Sequence, residues 1–195
     1  VRSVRPAGPP PEWSARPRPF QVVTVASGKG GVGKTTIATN LASVLQSRRG
    51  HNVLLIDADT VTGHVTTSLG IDGVRTLADS WHDQAEGGPR EGIAEIASAH
   101  PSGMRVASLT NSPLDTDILE PERVVDAIQA ARRGFDFVVI DLHPSYSRLN
   151  QAIFAIADRI LVPVTPDVPA IRAAVQLSDY TQELGVRDRL ALVIN

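Results

Sequence analysis

Few features restrict a fold as tightly as the run Ser27-Gly28-Lys29-Gly30-Gly31-Val32-Gly33-Lys34-Thr35-Thr36. Upstream, Gln21-Val22-Val23-Thr24-Val25-Ala26 has the length and β-branched density of a strand. Downstream, residues 36–45 repeat apolar side chains near helical spacing. Gly28 to Thr35 is therefore a strand–loop–helix connection that fits G-x-x-x-x-G-K-[ST], a phosphate loop. Its glycines let backbone N–H groups crowd round an anion, and the helix that follows points its positive end at the same place. Lys34 is expected to neutralise β/γ-phosphate charge and the Thr35 hydroxyl to ligate Mg²⁺. The run also holds both lysines of the chain, whereas 17 of its 19 basic residues are arginine. A slim ammonium enters a tight backbone loop where a planar guanidinium does not. The expected phosphate site is Gly28, Lys29, Gly30, Gly31, Val32, Gly33, Lys34, Thr35 and Thr36. A glycine-rich turn with two chance lysines is the alternative, and the flanking strand and helix argue against it.

Composition bounds the rest. At 195 residues and 42% apolar content the chain suits one sizeable globular domain. A net charge of −2 makes no global case for nucleic acid or membrane. There is no apolar run near the ~18 residues a membrane span needs. The absence of cysteine excludes disulfides and thiolate metal sites, in keeping with a cytoplasmic protein.

Residues 1–20 are expected to be a linker. Six of the 14 prolines and four arginines fall within the first 19 positions, and Pro6-Ala7-Gly8-Pro9-Pro10-Pro11 reads as an extended tether. A docking segment for a proline-binding partner is the other reading. From residue 21 to 195, strand-like and helix-like stretches alternate, which predicts an α/β domain with a mostly parallel sheet and helices on both faces. Strands are expected at 21–26, 53–57, 104–109, 135–141, 159–164 and 190–195. Helices are expected at 35–48, 76–81, 92–97, 121–133, 147–157 and 170–184, with 83–101 the least regular stretch. The chain stops at a strand end, so the domain reads as truncated there.

Two strands close on acids. Val53-Leu54-Leu55-Ile56 runs into Asp57-Ala58-Asp59, and Phe137-Val138-Val139-Ile140 runs into Asp141. In open parallel sheets, ligands sit at the carboxyl ends of strands. Asp57, at a strand tip, is expected to hydrogen-bond Mg²⁺ waters, and Asp59, on the following loop, to orient an attacking water. Asp141 is expected to be the second Mg²⁺-associated carboxylate. An Asp that merely starts a turn is the competing reading for Asp57 and Asp59. His143 is read as an ordinary loop histidine, because no second histidine stands at ligand spacing.

The stretch Lys29 to Thr36 resembles the deviant phosphate loop of the MinD/ParA family of dimeric ATPases, in which an additional lysine early in the loop is matched here by Lys29. Asp57-Ala58-Asp59 is similar to the family's first switch and residues 135–141 to its second metal-side strand. Val193-Ile194-Asn195 matches a strand whose terminal Asn contacts adenine. Asp141-Leu142-His143-Pro144-Ser145 and residues 166–172 look closest to the CpaE/TadZ-like pilus-assembly branch. The family's frequent Asp-Thr-Pro-Pro-Gly is absent, since Leu142 and His143 stand where Thr-Pro would be.

The resemblance implies a slow Mg²⁺-dependent ATPase that homodimerises on ATP. Lys29, Lys34 and Asp59 would carry hydrolysis, with Lys29 reaching phosphates bound by the partner subunit. It implies a cytoplasmic switch that positions a pilus or division apparatus, recruited to a membrane or pole by protein partners. A DNA-partitioning dimer is the alternative, with Arg123, Arg132, Arg133, Arg172, Arg187 and Arg189 as candidate phosphate contacts or else ordinary solvated charges. A carrier of metal clusters would need ligands that a cysteine-free chain lacks.

Overall fold

The computed structural model describes residues 20–49, 51–63, 65–71, 73–89 and 91–195. The proline-rich segment expected as a linker lies, but for residue 20, outside the described residues. In chain order the elements are β1 (Gln21–Val25), α1 (Lys34–Arg49), β2 (Val53–Ala58), α2 (Val65–Ser68), α3 (Leu77–Ala85), α4 (Ile93–Ile96) and β3 (Ser98–Ala99). There follow β4 (Arg105–Ser108), α5 (Pro121–Ala130), β5 (Phe137–Leu142), α6 (Arg148–Ile156), β6 (Arg159–Val164), α7 (Val168–Glu183) and β7 (Leu190–Ile194). The strands form one sheet in the order β3-β4-β2-β5-β1-β6-β7. Every pairing is parallel except β3 with β4.

Residues alternate between two packed faces. Val53, Leu55 and Val139 join Ala38 and Ala42 of α1 on one side. Leu54, Ile56, Val138, Ile140 and Ile160 meet side chains of α3 to α7 on the other. Each such side chain, fully buried, contributes about 1.5–3 kcal/mol. That burial on both faces explains why β2 and β5 read as unbroken apolar runs.

Several element boundaries differ from expectation for local reasons. α3 runs to Ala85 rather than 81; at its start the Thr76 side chain accepts from the Asp79 N–H and Asp79 accepts from the Thr76 N–H. α7 starts at Val168 because Asp167 caps it, accepting from the Ala170 N–H at 2.9 Å. The helix expected over 121–133 is α-helical to Ala130 and tightens into a 3₁₀ turn at Ala131–Arg133. The irregular stretch 83–101 contains β3, whose two residues pair antiparallel with β4. α2 and the 3₁₀ turn Pro113–Ile118 were not expected either; each is short and without periodicity.

Candidate functional site

Parallel strands share a carboxyl edge, and the site lies there. The loop after β1 leads directly into α1, with Gly31 at φ 77° and Gly33 at φ 89°. A β-carbon on Gly33 would also stand 2.4 Å from Asn195 Nδ2. The torsion requires glycine at position 33, since the Asn195 amide is the end of a side chain that can turn aside. The Ser27 hydroxyl donates to the Lys29 carbonyl at 2.5 Å, bracing the start of the loop. Lys34 opens α1 and is only 8% exposed.

Sheet register brings the acids to this loop. Asp141 pairs with Val25 on one side and with Asp57 on the other, so both carboxylates stand at one level on the α1 face. Thr35 Oγ1 donates to Asp141 Oδ2 at 2.6 Å, leaving the hydroxyl's lone pairs for a cation. Asp57 is buried, and its oxygens accept from the N–H groups of Asp59 and Val65, each at 3.0 Å. It thereby shapes the loop leaving β2. Positions two apart share a face of a strand. Asp59 parts from Asp57 because the chain leaves the sheet after Ala58.

Asp59 accepts from the N–H groups of Val61 and Thr62, the Thr62 hydroxyl and His143 Nδ1, the last at 2.8 Å. Burial opposes its charge, yet the bonds from Thr62, His143 and Val61 outweigh it and hold the carboxyl below its ordinary range. His143, expected as an ordinary loop histidine, stands against this carboxylate. Its partner is 84 positions away, and only the fold joins them. Gly30, Gly31, Gly33, Lys34, Thr35, Thr36, Asp59, Thr62, His143 and Pro144 line one open cleft of about 490 Å³.

Two further predicted residues approach the loop from outside that cleft. Lys29 Nζ lies 3.1 Å from Asp167 Oδ1, both side chains being 40% exposed. The Thr165 hydroxyl, the Ala170 N–H and Lys29 hold Asp167 down at about 2. Asn195 donates from Nδ2 to the Val32 carbonyl at 3.1 Å, which places its side chain against the loop.

A divalent cation is tested by one atom. Asp141 Oδ1 is buried and meets no hydrogen-bond donor. A buried carboxylate oxygen is costly until a donor or cation faces it. The residues therefore fit Mg²⁺, held as phosphate-site magnesium commonly is, by few protein groups plus phosphate oxygens.

A family described as AAA domain matches residues 20–194. The septum site-determining protein MinD of Thermotoga maritima is 31% identical over 178 residues, which are 89% of this chain and 63% of that protein. The chromosome-partitioning ATPase Soj of Thermus thermophilus is 33% identical over 176 residues, 88% of this chain and 66% of that protein. The chain thus spans less than two thirds of the length of these curated relatives. The crystal structure of a ParA family ATPase from Chlorobium tepidum TLS superposes with a TM-score of 0.78 at 23% identity, covering 90% of this chain and 73% of that one. The chain belongs to the MinD/ParA family of P-loop ATPases.

In this MinD/ParA-family domain the charge balance around Asp141 makes a pH prediction. Burial lifts its pKa to about 6; Thr35 and Lys34 pull it down, and Asp57 and Asp59 push it up. Below the ordinary carboxylate value both folded and unfolded chains carry the proton, so there is no penalty. Above about 6 both are ionised, and the folded state bears the whole cost, on the order of 3 kcal/mol. The unliganded protein is therefore expected to lose stability between about pH 4 and pH 6 through this group. Thermal melts of Asp141→Asn should lie above wild type at pH 7.5 and converge with it near pH 4. A melting difference that is flat across that window would contradict the assigned cost.

Among the arginines considered for nucleic acid, several are already engaged. Arg123 lies 4.2 Å over the Trp81 ring, Arg187 donates to Gln182, and Arg189 donates to the carbonyls of Ala155 and Ala157. No described helix is long and apolar enough to cross a membrane.

Proposed function

We propose that this domain binds ATP with Mg²⁺ and hydrolyses it slowly, as the engine of a homodimeric positioning switch. The observation that carries the reading is that Lys34, Thr35 and Asp59 line one cleft and that Thr35 is bonded to Asp141. The loop amides and Lys34 bind the β- and γ-phosphates. Thr35 and Asp141, with Asp57 beside them, would hold Mg²⁺ and its waters, and the bound ion would neutralise charge on the phosphate oxygens. Asp59 orients the attacking water. Lys29 of the partner subunit stabilises the charge that develops on the transferred group, as an arginine finger does. Loss of the γ-phosphate contacts then favours separation of the subunits, which makes a switch rather than a metabolic catalyst.

For the cargo, residues 141–145 and 166–172 favour the CpaE/TadZ-like branch and hence a pilus-assembly apparatus in the cytoplasm, reached through protein partners at a membrane or pole. Division-site placement, the role carried in the name of the septum site-determining MinD relative, is the nearest competitor. DNA partitioning, the role carried in the name of the chromosome-partitioning ATPase Soj, is less favoured because Arg123, Arg187 and Arg189 already have partners within the fold.

Paired substitutions test the division of labour. Asp59→Ala is expected to bind ATP–Mg²⁺ within about threefold of wild type while turnover falls ~100-fold or more, the pattern of a contact made only in the transition state. Asp141→Ala is expected to weaken Mg²⁺-dependent binding itself, read by titrating magnesium at fixed ATP in the full-length protein. Wild-type turnover in Asp59→Ala would remove the water-orienting role.

A further inference from the structure

Asp59 is the acid proposed to orient water, and its two oxygens are not equally occupied. Oδ1 accepts from Val61 N–H at 3.2 Å, Thr62 N–H at 2.9 Å and His143 Nδ1 at 2.8 Å. Oδ2 accepts only from the Thr62 hydroxyl, at 3.0 Å. An ionised carboxylate oxygen has about two good acceptor directions. Oδ1 is thus saturated, and Oδ2 retains the capacity to take a proton of a water. A carboxylate cannot donate, so the shared proton sits on His143 Nδ1.

His143 is itself held firmly. Asn150 is buried on α6, and its Nδ2 donates to the carbonyls of His143 and Ser145 at 2.9 and 2.8 Å. Ser147 caps that helix by accepting from the Asn150 N–H. Three residues beyond His143, Tyr146 stands edge-on to Tyr180 of α7, ring centroids 4.7 Å apart. The imidazole therefore projects from a braced segment onto the loop that carries Asp59. The Asp59 side chain is 14% exposed and that of His143 27%, which limits competition from bulk water for the bond.

We propose that His143 is a positioning residue for hydrolysis: its Nδ1–H fixes Asp59 Oδ1, so that Oδ2 faces the water, and it joins the loop after β5 to the loop after β2. The inference rests on the ATPase reading above and adds to it. Hydrolysis then requires both loops in place, because His143 belongs to one and the water-orienting acid to the other. Binding of ATP does not require it, because the phosphates are held by Lys34 and the loop amides.

Two measurements on the full-length protein separate the contact from its consequence. Long-range ¹H–¹⁵N correlation on histidine-labelled protein reads which ring nitrogen carries the proton. Wild type is expected to show His143 Nδ1 protonated, and Asp59→Ala to shift His143 toward the Nε2–H form. A bare Nδ1 in wild type overturns the proposal. Single-turnover assays then read the effect. His143→Ala is expected to lower kcat about 10- to 100-fold, the scale of losing an orienting partner, with ATP affinity within about threefold. His143→Asn, whose amide nitrogen takes nearly the place of Nδ1, is expected to recover most of that loss, which general damage to the fold would not allow. In the Asp59→Ala background His143→Ala should slow the reaction no further. Normal turnover in His143→Ala, or failure of Asn to rescue, overturns the positioning role alone. Absent turnover in the wild-type protein overturns the ATPase reading, and this inference with it.

Discussion

Lys34→Ala is expected to remove ATP–Mg²⁺ binding, raising Kd at least ~100-fold, because truncating one member of a buried charge pair costs about 2–5 kcal/mol. Lys34 is 8% exposed, so water replaces little of what the ammonium supplies to a phosphate. The loss reaches beyond the phosphates. Lys34 is one of the two influences that lower the pKa of Asp141, and without it the carboxyl is held protonated more strongly at the moment a cation needs its charge. Lys34→Arg is expected to fare almost as badly, since a planar guanidinium does not fit where the loop closes round a slim side chain. Equilibrium dialysis of the full-length protein against ATP–Mg²⁺ measures this, with a thermal melt to show that the variant is folded. Unchanged affinity in a folded Lys34→Ala would overturn the phosphate-loop assignment.

What the sequence made legible here follows from the range of the interactions involved. The loop from Gly28 to Thr35 is a local object: its torsions and its helix are specified within a dozen residues. Asp57 and Asp141 were legible as strand ends, and the register that sets them level needs only two in-phase parallel strands. β3 was not legible, because two residues carry no period and their pairing with β4 depends on the chain returning past it. The capping pair Thr76 and Asp79 was present in the sequence as T-x-x-D and marks a helix start; the end at Ala85 carried no comparable signal. The contact of His143 was illegible for a deeper reason. The usual test for a functional histidine looks for other ligands near it in sequence, whereas its partner is a carboxylate 84 positions away. The departure from Thr-Pro at 142–143 was visible in the sequence, but not that it places an imidazole against Asp59.

Lys29→Ala carries the second large expected effect, and it tests the dimer rather than the site. Within one chain the Lys29 ammonium rests on Asp167, 3.1 Å away, with both side chains 40% exposed. An ion pair so exposed is worth only about 0–1 kcal/mol. Asp167 therefore holds the lysine loosely, and moving it to a phosphate across an interface costs little. Lys29→Ala is expected to retain ATP through Lys34 and the loop amides, to dimerise poorly on ATP, and to lose on the order of 10³-fold in turnover, the lower end of what a trans-acting cation supplies. Mixing it with Asp59→Ala gives the decisive measurement. In a mixed dimer, the site on the Lys29→Ala subunit keeps its own Asp59 and receives Lys29 from its partner, so that site is complete. The opposite site lacks both. Were pairing random at equal amounts, half the dimers would be mixed with one working site each, so roughly a quarter of the wild-type rate is the ceiling, lowered as far as Lys29→Ala pairs less well. The rate is followed against mixing ratio, with sedimentation to establish that mixed dimers form. Mixed dimers without recovered activity would mean that Lys29 acts within its own subunit, and the contact with Asp167 would then describe its working position rather than its resting one.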